Sequence, residues 1–147
     1  MSGLFLAEIV LPGVERSVAV ARRCVREVLI VAGHEDLNDV LLVVSELVTN
    51  AVSHSASREP GGFVTVEISS VDAMTAYIEV IDEGSVTIPE VRNADAGECG
   101  GRGLRLVEAL AAGWGVRDEA YRRRVVWVAM STKDGTSACV ARAGGRN

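Results

Sequence analysis

Two consecutive stretches with a helical apolar period are followed by two with a strict period of two, and this succession constrains the chain most. From Val14 to Val31, Val18, Ala21, Val25, Val28 and Leu29 recur at steps of three and four, while Arg16, Arg22, Arg23 and Arg26 take the remaining face. Gly33 supplies the helix stop, because glycine takes the left-handed conformation cheaply. A second helix is expected from Asp36 to His54, striped by Leu37, Leu41, Val44, Val48 and Val52, with Leu42 and Val43 flanking its polar side. The segment Ser55 to Gly62 breaks the pattern with Ser57, Pro60, Gly61 and Gly62. Strand alternation then sets in, with Val64, Val66 and Ile68 against Thr65, Glu67 and Ser69 over Phe63–Val71. Ala76, Ile78 and Val80 repeat it over Thr75–Asp82, and Ser70–Ala73 reads as the hairpin between them. Helices with one apolar stripe and strands with one apolar face must cover each other.

The remaining segments fit around this centre. Leu4–Leu11 is a first strand, closed by Pro12-Gly13. Ser85–Gly103 holds Pro89, Asn93 and Asp95, and with Gly84 counted it holds five glycines; it shows no period. Irregular connections of this length in a small domain are usually functional lids or disordered. Leu104–Ala112 reads as a helix with Leu104, Val107, Leu110 and Ala111 inward, and Trp114–Arg117 and Arg124–Met130 as two strands around a polar turn. The expected fold is an α/β (α+β) two-layer sandwich, its sheet mixed or mostly antiparallel, with helices packed on one face. Residues 1–132 form one domain in this reading, and 133–147, rich in Gly, Ser and Arg, a flexible tail.

Composition excludes several classes. Aromatic residues are 4% of the chain, so Val, Leu, Ile and Ala must fill the core. The net charge of −5 argues against direct nucleic-acid binding, Arg122-Arg123-Arg124 being a local exception read as a solvated turn. No apolar run approaches the roughly 20 residues needed to cross a bilayer. Glu8 interrupts the N-terminal apolar run, which has no basic lead, so no secretory signal is read. Cys24, Cys99 and Cys139 are odd in number and lack metal-ligand spacing, which favours reduced thiols and a cytoplasmic location; Cys99 is given no reactivity.

The second helix carries the chemistry. With Glu46 at zero and about 100° per residue, Asn50 falls near about 40°, Ser53 near about −20° and Thr49 near about −60°, opposite an apolar stripe at about 160–240°. Glu46 and Asn50 thus project together, one turn apart. Taken alone, this also describes an ordinary solvated face. The residue types suit phosphate chemistry as well, since a carboxylate can take a proton from a nucleophile and an amide oxygen can bind Mg²⁺. His54 closes the helix and reads as a donor to its last turn rather than a catalytic group.

Ser45-Glu46-Leu47-Val48-Thr49-Asn50-Ala51-Val52-Ser53-His54 resembles the asparagine-bearing helix of the GHKL superfamily of gyrases, heat-shock chaperones, histidine kinases and mismatch-repair ATPases. Asp82-Glu83-Gly84 at a strand end is similar to the next motif of that superfamily. Gly100-Gly101-Arg102-Gly103-Leu104, opening a helix after a lid, is similar to its glycine motif, and Val126-Trp127-Val128 to the closing strand of small bacterial members. The set occurs in family order and is most similar to single-domain anti-sigma-factor-like serine/threonine kinases of actinobacterial type. The resemblance implies the Bergerat ATP-binding fold, with ATP and Mg²⁺ as cofactors. It implies Glu46 as catalytic base, Asn50 as magnesium ligand and Asp82 as acceptor of the adenine amino group. Gly84 would allow close approach beside Asp82, and Gly100, Gly101, Gly103 and Leu104 would surround phosphate with Arg102. Ser85-Val86 departs from the usual D-x-G-x-G, on the side where the adenine wall is expected.

The same resemblance implies a small phosphorylatable antagonist protein as substrate, a sigma factor on a separate surface, and a homodimer. An ATP-dependent binding module without kinase activity, or a slow intrinsic ATPase, remains open as an alternative. A histidine-kinase fragment fits less well, since no helical hairpin bearing a phosphoacceptor histidine precedes the domain.

Overall fold

The computed structural model describes residues 3–54, 59–83 and 104–133. Its elements run β1 (Leu4–Pro12), α1 (Ser17–Val31), α2 (Asn38–His54), β2 (Phe63–Asp72) and β3 (Thr75–Asp82). A helix α3 at 104–110, then β4 (Gly113–Asp118) and β5 (Arg124–Ser131), complete the order. The strands form one sheet in the order β1-β2-β3-β5-β4, and all four pairings are antiparallel. The expectation of a mixed or mostly antiparallel sheet thus resolves to an antiparallel one among the described residues. Because β5 lies between β3 and β4, the chain leaving β3 must pass over one strand position before β4 can pair. In the chain, residues 84–103 and α3 lie between the two strands.

Helix starts lie later than the apolar periodicity suggests, for a local reason. After Pro12-Gly13 the chain turns, with Val14 N–H donating to Pro12 O at 2.8 Å and Ser17 N–H to Val14 O at 2.9 Å. The Ser17 hydroxyl also donates to Pro12 O at 2.5 Å, so α1 begins at Ser17 rather than Val14. Likewise Asp36 Oδ1 accepts from Asn38 N–H at 3.4 Å, and α2 begins at Asn38 rather than Asp36. Gly33 stands at φ 93°, in the left-handed stop position expected of it.

The core lies between the helices and one face of the sheet. Ala21, Val25 and Leu29 of α1, and Val40, Val43, Val44, Leu47, Val48 and Ala51 of α2, meet Val64, Val66 and Ile68 of β2. Ala76, Ile78 and Val80 of β3, Val128 and Met130 of β5, and Val107 of α3 complete it. This core is aliphatic, as the shortage of aromatics requires. The opposite face carries, in cross-strand rows, Glu8–Glu67–Glu79–Trp127 and Ser69–Tyr77–Ala129. Tyr77 and Trp127 stack there with ring centroids 6.0 Å apart, and Arg117 binds Glu79 at 2.7 Å. Among the described residues, no helix is long and apolar enough to cross a membrane.

Candidate functional site

On α2 the buried arc is wider than the expected stripe. Val43 and Leu47 are buried, and Val52 is only half-buried. On the same wheel, Val43 falls at about 60° and Leu47 at about 100°, so the buried arc reaches almost to Asn50. Glu46 and Asn50 are both half-buried accordingly, on the rim where packing meets solvent. Leu42, on the far side of Glu46, is 46% exposed, so of the two apolar residues flanking the polar stripe Val43 is packed and Leu42 is not. The helix geometry brings Glu46 and Asn50 together. Ser45 and Thr49 fasten their hydroxyls to Leu41 O at 2.8 Å and Ser45 O at 2.7 Å. His54 is the last, exposed residue of α2.

Asp82 ends β3, where it pairs with Arg124. Strand alternation puts it on the same face as Ala76, Ile78 and Val80, the face covered by the helices. The α2 helix packs on β3, so the asparagine-bearing helix and the aspartate strand share one interlayer space. Asp82 is half-buried there. Leu104 is half-buried at the start of α3. Gly84, Gly100, Gly101, Arg102 and Gly103 lie outside the described residues, as do Cys99 and Cys139.

A cavity of about 380 Å³ opens beside Asp82 but does not reach Glu46 or Asn50; it is lined by Phe63, Thr65, Ile81, Asp82, Glu83, Tyr121 and Arg123. Phe63, Thr65, Ile81 and Glu83 alternate with the core residues, so most of this lining belongs to the outer face. Glu83 braces its mouth by accepting from Phe63 N–H at 3.3 Å. The sequence reading missed Phe63 and Tyr121; continuing the alternation of β2 to its first residue would have located Phe63. The basic turn is exposed throughout, as a solvated turn should be, and its backbone is specific. Tyr121 and Arg122 both stand at φ 63°, and Arg124 holds Asp118 at 3.3 Å.

Residues 11–130 match the family model described as the histidine kinase-like ATPase domain. The chain belongs to that family. Over 60 residues it is 37% identical to the anti-sigma F factors of Geobacillus stearothermophilus and Geobacillus kaustophilus, a match covering 41% of this chain and 40% of each relative. The chain thus spans well under half the length of these relatives. Among solved structures it resembles that of the RsbU and RsbW domains of Rv1364c from Mycobacterium tuberculosis. The TM-score is 0.61 at 20% identity, over 85% of this chain and 33% of that one, which establishes a shared fold. The GHKL resemblance therefore holds, and with it an ATPase-type, ATP-binding domain similar to anti-sigma factors.

Proposed function

We propose that this chain binds Mg-ATP and acts as an anti-sigma-factor-type serine/threonine kinase that phosphorylates a small antagonist protein. The observation that carries the reading is the pairing of Glu46 and Asn50, one turn apart on the rim of α2, in a domain of ATPase type. Asp82, on the helix-facing side of the β3 end, accepts the adenine amino group. Guanine offers an acceptor at that position and is refused. Asn50 would hold the magnesium through its amide oxygen. A single neutral oxygen fits Mg²⁺, which commonly completes its shell with waters and substrate phosphates. No cluster of three or more His, Cys, Asp or Glu among the described residues forms a separate metal cage. Bound magnesium neutralises phosphate charge. Residues 100–103, Arg102 among them, and the start of α3 at Leu104 hold the phosphates; Glu46 takes the proton of the incoming serine hydroxyl as its oxygen bonds to the γ-phosphorus and ADP leaves. A sigma factor occupies a separate surface of a homodimer.

One observation favours a second reading, a nucleotide-dependent binding module without transfer: Ser85-Val86 stands where the usual motif carries its second glycine. Incubation with γ-labelled ATP and candidate antagonist proteins separates the two. Label on a serine supports the kinase, free phosphate alone an ATPase, and binding without turnover the module. Asn50→Ala is expected to abolish magnesium-dependent ATP binding, and unchanged affinity at matched stability would sink the assignment. Glu46→Ala should bind ATP yet fail to transfer phosphate.

A further inference from the structure

His34 stands in the loop between α1 and α2 and is only 3% exposed. Hydroxyls from distant parts of the chain engage both of its ring nitrogens. Nδ1 lies 2.5 Å from Thr132 Oγ1, and Nε2 lies 2.8 Å from Ser70 Oγ. The Ser70 hydroxyl itself donates to Asp72 O at 3.0 Å, so its oxygen accepts from the ring and the His34 proton sits on Nε2. Nδ1 is then the acceptor for the Thr132 hydroxyl. Every position in this set is filled for a neutral imidazole in one tautomer.

Backbone bonds converge on the same point. His34 N–H donates to Leu29 O at 3.0 Å, Asp36 N–H to Thr132 O at 3.4 Å, and Thr132 N–H to Met74 O at 2.8 Å. The cluster therefore joins the end of α1, the lead-in to α2, the β2–β3 hairpin and the residue after β5. Leu37 and Val40, the first buried apolar residues on the α2 side, follow directly.

We propose that His34 is a proton-operated latch on the lead-in to α2: its neutral ring holds the loop to Ser70 and Thr132, and a second ring proton loosens it. A proton on Nδ1 removes the acceptor that Thr132 uses and leaves a buried cation. Asp72, at the end of β2, is the acid whose field favours that cation. Glu35 and Asp36 are its neighbours in the loop, and Lys133 follows Thr132. Burial outweighs Asp72 and holds the ring below its ordinary value of 6.5. As pH falls past 6.5 the opened chain takes the proton first, so the closed latch loses ground until the lowered folded value is reached, and no further below it. For one proton the limit is about tenfold per pH unit. The latch seats the helix that carries Asn50, yet the inference does not depend on the nucleotide reading.

The test is hydrogen-exchange protection of the His34, Leu41 and Thr132 amides in the full chain between about pH 8 and about pH 5, with a ring titration by NMR. Protection of the three should fall together below pH 6.5, by at most about tenfold per unit, and stay flat in His34→Gln. Flat protection in the native chain, an equal fall in His34→Gln, or a ring titrating at or above 6.5 would overturn the latch. If His34→Gln does not fold, Thr132→Val serves. It strips the neutral ring of its donor and should move the titration upward; no movement refutes the proposal.

Discussion

Gly115 and Gly113 sit on the same edge strand beneath the same indole ring, yet they should answer an added methyl in opposite ways. A Cβ at Gly115 would lie 2.5, 2.8 and 2.9 Å from Nε1, Cε2 and Cζ2 of Trp127. Ordinary carbon contacts are about 3.5–4.0 Å, so the ring must retreat by roughly 1 Å. That retreat is obstructed. Trp127 stacks on Tyr77, whose hydroxyl donates to Glu79 at 2.9 Å, and Glu79 is held by Arg117 at 2.7 Å. Overpacking of this kind costs about 1–3 kcal/mol. Replacing an extended glycine by alanine returns about 0.5–1 kcal/mol of backbone entropy. The net expectation for Gly115→Ala is a loss of about 1–2 kcal/mol, or roughly 3–6 °C in Tm at this chain length. At Gly113 the nearest ring atoms would be 3.7 and 3.9 Å away, which is ordinary contact, so Gly113→Ala should be neutral or gain up to about 0.5 kcal/mol. Urea unfolding followed by tryptophan fluorescence and far-UV circular dichroism measures both. A Gly115→Ala chain as stable as the native one, or equal losses at the two positions, would refute the reasoning.

Glu67 lies between Glu8 and Glu79 in one cross-strand row, and burial first, then these two carboxylates, push its pKa above the usual 4.5. A raised carboxyl stabilises the fold below pH 4.5, and that contribution is lost as pH rises through the folded value. Glu67→Gln should therefore be about 0.5 kcal/mol more stable than native at pH 7, with the gain gone near pH 4, as denaturant melts at the two pH values would show. Leu29→Ala, at a fully buried position, should cost about 2–5 kcal/mol in the same assay. On the proposed adenine contact, Asp82→Asn should weaken ATP binding by about tenfold in calorimetry at unchanged fold, since an amide is a poorer partner for an amino group than a carboxylate.

The periods carried most of this architecture. Strand β3 spans Thr75–Asp82, as its alternation indicates, because each core residue there is flanked by a polar or outward one. Strand order is different in kind. Nothing in Trp114–Arg117 or Arg124–Met130 states that the later strand pairs with β3 and displaces the earlier to the edge; that follows from tertiary packing alone. The helix starts were obscured because Val14 and Leu37 continue an apolar period into turns that hydrogen bonds, not side-chain spacing, define. The candidate site was half legible. Glu46 and Asn50 are a local spacing on one helix and could be read directly. Asp82 needed the sheet to give it a face. His34 left no signal, since a lone histidine after a glycine stop reveals neither Ser70 nor Thr132, which lie 36 and 98 residues away.

The rim position of Asn50 has a consequence for how such a helix can work. A residue in the centre of the buried arc could not meet a ligand, and one on the open side would keep its rotamer freedom and lose about 1–2 kcal/mol when ordered. Val43 and Leu47, both buried, stand beside it and confine the helix against the sheet, so aliphatic packing seats the Asn50 backbone. Packing of that kind does not change with pH or salt to the extent that ion pairs do. What can change is the start of the helix, where the seating passes through Leu37 to a buried histidine with one tautomer and no spare acceptor. The Asn50 end of α2 is thus held by an apolar anchor and the opposite end by a titratable one. Perturbations of the two ends should differ in signature: Val43→Ala should lower stability by a similar amount at every pH, whereas loss of the His34 set should matter least in acid.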